Sequence, residues 1–129
     1  MNQENEMRNQ SLGLIETVSL TAAIEAADVA CKSANVELVG YELAKGGGMV
    51  TVKILGQVGA VSAAVAAART AAGRINTVVA TSVIPRPNTQ LEPLIHSSAT
   101  VGHRPEAQPA PAPQEEATDD QHADSAADA

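Results

Sequence analysis

The stretch "ELAKGGGMVTVKI", Glu42–Ile54, decides how this chain folds. It sets a lysine and three consecutive glycines directly before an alternating apolar run. Val50, Val52 and Ile54 fall on one side of an extended backbone, and Thr51 and Lys53 on the other, the period of a half-buried strand. The preceding "VELVGYEL" (36–43) reads as a second strand. Between them, Ala44, Lys45, Gly46, Gly47 and Gly48 are few and glycine-rich enough to join the two as a hairpin. Glycines beside a lysine also raise the question of a phosphate cradle. That site needs GxxxxGK[ST] between a strand and a helix, so that backbone amides and the helix N-terminus hold the phosphate together. Here the lysine precedes the glycines and a strand follows them, which argues against nucleotide binding. Three glycines exceed what a hairpin requires, and each adds about 0.5–1 kcal/mol of ordering entropy. Close approach of symmetry-related backbones is the expected reason for the excess.

On the N-terminal side of the hairpin, "SLGLIET" (11–17) is apolar enough for a buried strand, and Ser19 offers an N-cap oxygen. Leu20, Ala23, Ile24, Ala27, Cys31 and Ala34 then recur at helical spacing, with Glu25, Asp28 and Lys32 opposite them. The spacing predicts an amphipathic helix over 20–34 whose buried stripe includes Cys31. On the C-terminal side, Gly56 ends the strand. Val58, Val61, Val65, Ala68 and Ala72 mark the stripe of an alanine-rich helix over about 57–74. "TVVATSVI" (77–84) is a fourth strand, stopped by "PRP" (85–87). Asn88 is placed to cap a short helix through Ile95, interrupted at Pro93. The order β-α-β-β-α-β predicts an α+β, ferredoxin-like fold, an antiparallel sheet with two helices on one face. Apolar groups on the sheet's other face predict further packing there.

The chain has 129 residues and net charge −7. Residues 1–95 hold seven Lys/Arg against eight Asp/Glu, whereas 96–129 hold one Arg against seven acidic residues. From His96 onward the pattern is Pro, Ala and acid without apolar period, which predicts a disordered tail over 96–129 whose removal leaves folding intact. Residues 1–10 are expected to be a disordered lead, and 11–95 the single domain. The absence of a basic cluster, of Phe and Trp, and of more than one Tyr argues against nucleic-acid binding. No apolar run reaches membrane-spanning length, and "MNQENEMRNQ" has no signal-peptide core. One cysteine fits a reducing compartment. With aromatics at 1%, the core must be built from Ala, Val, Ile and Leu, so part of the stabilising burial is expected between subunits.

No catalytic constellation can be assembled. Cys31 reads as a small buried hydrophobe. His96, His103 and His122 lie in or beside the tail, where no carboxylate or thiolate set at metal-ligand spacing is read, so neither a metal nor a cofactor is expected. Lys32, at a helix-to-strand junction, and Arg86, held between two prolines, are candidates for a docking edge rather than plain surface charges.

Taken together, "LGLIETVSLTAAIEAADVACKSANVELVGYE", "GGGMVTVKILGQVGAVSAAVAAA" and "VIPRPN" resemble the single-domain, hexamer-forming shell proteins of bacterial microcompartments, from about Ser11 to Leu94. The resemblance implies flat cyclic hexamers that tile with themselves and other shell proteins around encapsulated enzymes in the cytoplasm. It implies a loop, here Lys45, Gly46, Gly47 and Gly48, converging on the sixfold axis around a pore for small polar metabolites. It also implies that Lys32, Asn35 and Arg86 lie at the hexamer edge. The departures are Gly47, where many relatives have serine in a shorter loop, Gln57, where many have an acid, and the long tail. The rival reading is a ferredoxin-like regulatory module that binds a small ligand at a subunit interface.

Overall fold

The computed structural model describes residues 9–102. Residues 1–8 of the expected lead and 103–129 of the expected tail lie outside the described residues. Four strands form, β1 (Ser11–Val18), β2 (Glu37–Leu43), β3 (Met49–Gly56) and β4 (Val78–Ile84). Helix α1 (Leu20–Ser33) follows β1, and α2 (Val58–Gly73) follows β3. A 3₁₀ turn (Thr89–Leu91) and a short helix, α3 (Glu92–Ile95), come after β4. The strand order is β2-β3-β1-β4, every neighbour antiparallel, which is the ferredoxin-like arrangement expected.

Local chemistry explains the boundaries. The Ser19 hydroxyl accepts from Ala22 N at 3.3 Å and caps α1. The Asn88 side chain accepts from Gln90 N at 2.9 Å and starts the 3₁₀ turn. Pro93 does not interrupt α3. It occupies the first turn, where no intrahelical N–H is required.

Both helices cover one face of the sheet. Ile15, Val50, Val52 and Ile54 meet the helical alanines in the main core. Gly13 allows α2 to lie close: a Cβ there would stand 2.8 Å from Val61 Cγ1 and 2.6 Å from Ile54 Cγ1. The stripe expected on α2 is buried except for Val58, which is exposed, and Ala64 joins it. The stripe expected on α1 is corrected. Ala22, Ala23, Ala26 and Ala30 are buried, while Leu20 and Ile24 are 42% and 51% exposed and Cys31 is exposed. Methyl-sized side chains let α1 pack closely on α2 and the sheet, and the larger apolar residues turn outward.

The second face carries a smaller cluster of Leu12, Val39, Leu55 and Ile95, with Leu14, Ile84 and Leu91 against it. This is the further packing expected there, and α3 supplies it. Lys53 is buried on this face. One expectation is revised here: the tail boundary after Ile95 is too early, because Thr100 is buried and Val101 pairs with Tyr41 at the β2 edge.

Candidate functional site

The β2–β3 loop is closed at its base by a bond from Ala44 N to Met49 O, 3.0 Å. A second bond, from Ser19 N to Gly48 O at 2.8 Å, ties it to the start of α1. Gly46, Gly47 and Gly48 have φ of +93°, +67° and +67°, a region that L side chains enter at a cost. The turn itself therefore requires glycine three times over. The crowding expected as the cause is not needed within one chain, since a Cβ at Gly46 or Gly48 would meet nothing within 4 Å. A Cβ at Gly47 would meet only the Met49 side chain, at 3.4 Å. Lys45 is exposed beside these glycines. The loop thus offers an ammonium and a run of accessible backbone on one rigid hairpin, a surface suited to polar or anionic solutes.

Lys32 lies in the last turn of α1, where a cation suits the free carbonyls. Its Nζ stands 2.7 Å from Asp28 Oδ2, one turn back. That hydrogen bond, and then the Asp28 charge, raise the Lys32 pKa above its ordinary value, so the group stays cationic. Leu20, Ile24, Asp28 and Lys32 follow one another at four-residue spacing along the exposed side of α1. Asn35 is exposed in the α1–β2 connection. That connection runs close over β3, since a Cβ at Gly56 would be 3.3 Å from Asn35 O. Arg86 is exposed in the turn after β4, which is anchored by the Ser11 hydroxyl donating to Pro85 O at 2.9 Å. Among the described residues, no hydrogen bond or ion pair joins Arg86 to Lys32 or Asn35 within the chain.

The exposed Cys31 thiol has its pKa pushed up, first by partial burial and then by Asp28, so it is protonated at neutral pH and a poor nucleophile. Among the described residues, no group of three or more His, Cys, Asp or Glu is arranged to hold a metal ion. No helix among them is long and apolar enough to cross a membrane. One polar cluster escaped the sequence reading: Lys53, Glu42, Ser97 and Thr100 converge on the second face of the sheet. Its only sequence signal is a lysine inside an apolar strand, which alternation assigns to solvent.

A ferredoxin-like sheet with a glycine-rich β2–β3 loop and a Pro-Arg-Pro turn after β4 defines a recognisable class, and the BMC domain family matches residues 11–87. The chain belongs to that family. Among its relatives is the bacterial microcompartment shell protein PduA of Citrobacter freundii, 54% identical over 89 residues, which are 69% of this chain and 95% of the relative. The carboxysome shell protein CsoS1 of Prochlorococcus marinus is 44% identical over 101 residues, 78% of this chain and 97% of the relative. A solved microcompartment protein from Desulfitobacterium hafniense superposes with a TM-score of 0.60 at 31% identity. That match covers 74% of this chain and 49% of the other, so this chain spans about half of that structure.

Proposed function

We infer that this chain is a structural shell protein of a bacterial microcompartment in the cytoplasm. Its copies assemble into cyclic hexamers that tile, with each other and with other shell proteins, into a facet around metabolic enzymes. The observation that carries this reading is the BMC domain match over 11–87, which spans the β-α-β-β-α-β order of this chain. The role is one of assembly and selective passage, not catalysis. Lys45, Gly46, Gly47 and Gly48 of each copy would frame a central pore. A ring of Lys45 ammonium groups would favour anionic or polar metabolites, because like charges focus potential in a narrow channel. Lys32, Asn35 and Arg86 would meet a neighbouring hexamer at the edge, and the exposed Leu20 and Ile24 on the Lys32 side of α1 support burial against another subunit.

Electron microscopy of the concentrated full chain tests this. Extended sheets or tubes are expected. Lys32→Ala is expected to remove the sheets while the hexamer persists, since a small edge contact repeats over many copies. Sheets unchanged by Lys32→Ala overturn the edge assignment. Discrete oligomers that never tile, together with a small-molecule-induced thermal shift, would support the regulatory module instead.

A further inference from the structure

A charge is buried where strand alternation calls for a solvated side chain. Lys53 leaves β3 on the face opposite α1 and α2, yet it is only 5% exposed. An ammonium has three N–H donors. Four acceptors surround this one: Leu94 O at 2.8 Å, Thr100 Oγ1 at 2.9 Å, and Ile95 O and Glu42 Oε1 at 3.3 Å each. All but Glu42 belong to the segment beyond β4. The Glu42 carboxylate also accepts from the Ser97 hydroxyl, and Ser97 Oγ lies 3.1 Å from Thr100 Oγ1.

The same segment closes on the β2 edge. Tyr41 N donates to Val101 O at 3.0 Å, and Val101 N to Tyr41 O at 2.8 Å. The seat is shaped for this, since a Cβ at Gly40 would stand 2.1 Å from Val101 O. From the other side, a Cβ at Gly102 would lie 3.3 Å from Gly40 Cα. Apolar contact adds to the seat: Ile95 is buried with Leu12, Val39 and Leu55 and Leu91 packs against them, while Leu94 is 66% exposed.

We propose that residues 91–102 form a strap latched over the second face of the sheet by the Lys53 ammonium, and that this strap detaches as a unit when the ammonium is lost. A buried cation is stable only with its acceptors in place, and here the strap supplies most of them. Lys53 is therefore a positioning residue. It decides whether Leu12, Val39 and Leu55 are covered and whether Val101 stays paired with Tyr41 at the β2 edge. The inference concerns a single chain and does not depend on the shell reading.

Amide hydrogen exchange on the full chain tests it. The amides of Val101 and Tyr41, bonded to Tyr41 O and Val101 O across the β2 edge, report on the strap. Those of Ile15 and Val52, in the central strands, report on the sheet. Lys53→Met keeps the apolar stem and removes the charge. It is expected to speed exchange at Tyr41 and Val101 by on the order of tenfold or more, with Ile15 and Val52 changed by less than about twofold. Gly40→Ala keeps Lys53 but obstructs the Val101 seat, and the same pattern is expected. Should Lys53→Met fail to fold, Gly40→Ala and Thr100→Val decide the question. Unchanged exchange at Tyr41 and Val101 overturns the proposal. So does protection lost equally at Ile15 and Val52, which would make Lys53 a residue of the whole fold rather than a latch.

Discussion

Three consecutive glycines in the left-handed region make the Lys45–Gly48 loop a backbone device, with Lys45 as its charged side chain. Substitution there is expected to act through the backbone as well as through bulk. Gly47→Leu adds volume but strains a φ of +67°, whereas Gly47→Asn adds less and tolerates that conformation. Both are expected to reduce flux of small polar solutes through compartments built from the variant, and Lys45→Glu to disfavour anions. Flux of anionic and neutral metabolites, compared across the three variants, checks this; no change in any solute would contradict the pore assignment. The glycines are conspicuous in the sequence, whereas their φ angles, which by themselves call for glycine, are not. Lys53 lies on the face that alternation gives it, but its burial is not legible in the sequence. Alternation reports which face a residue is on, not what a distant segment lays over that face. Cys31 was misjudged because a helix with two apolar sides leaves periodicity no way to choose between them.

At the scale of elements, all four strands and both long helices were legible, with ends shifted by a residue or so. The helical stripes and alternating strands are local signals of burial, and Ser19 and Asn88 are local signals of starts. The segment beyond Ile95 was not legible. Its hold on the sheet comes from side-chain and edge contacts 47 to 60 residues away in sequence, such as Thr100 to Lys53 and Val101 to Tyr41. A chain ending after Gly102 is expected to melt like the full chain. One ending after Ser98 loses Thr100 and the Tyr41–Val101 pair, each bond worth roughly 1 kcal/mol, and is expected to melt lower by calorimetry. Acid acts on the same contact. The Ser97 hydroxyl, and after it Lys53, hold the Glu42 pKa below its ordinary value against the opposing effect of burial. The ionised form is thus favoured by folding, so this stabilisation is complete at neutral pH and is lost as pH falls through the lowered value. Melting temperature from pH 7 to about pH 3 is expected to fall less steeply for Glu42→Gln than for the natural chain in the acid range. Parallel curves would show that Glu42 contributes nothing by its charge.

At the scale of the whole molecule, the core is small and aliphatic, and larger apolar residues remain outside it. Leu20 and Ile24 on α1, Val58 on α2, Leu43 at the end of β2 and Val79 on β4 are all exposed in the single chain. Singly such residues are ordinary, but in a chain with so few large side chains they support further burial between copies. The BMC domain match gives that burial a form, because relatives at 54% and 44% identity are shell proteins. Family likeness, carried by motifs spread from Ser11 to the Pro-Arg-Pro turn, made the shell role readable before any contact was known. The most direct test of the central claim is therefore the mass of the full chain in solution by light scattering at micromolar concentration. A hexamer of this 13.2 kDa chain has a mass of about 79 kDa, and that is the value expected. A single monodisperse species at 13.2 kDa would contradict the account.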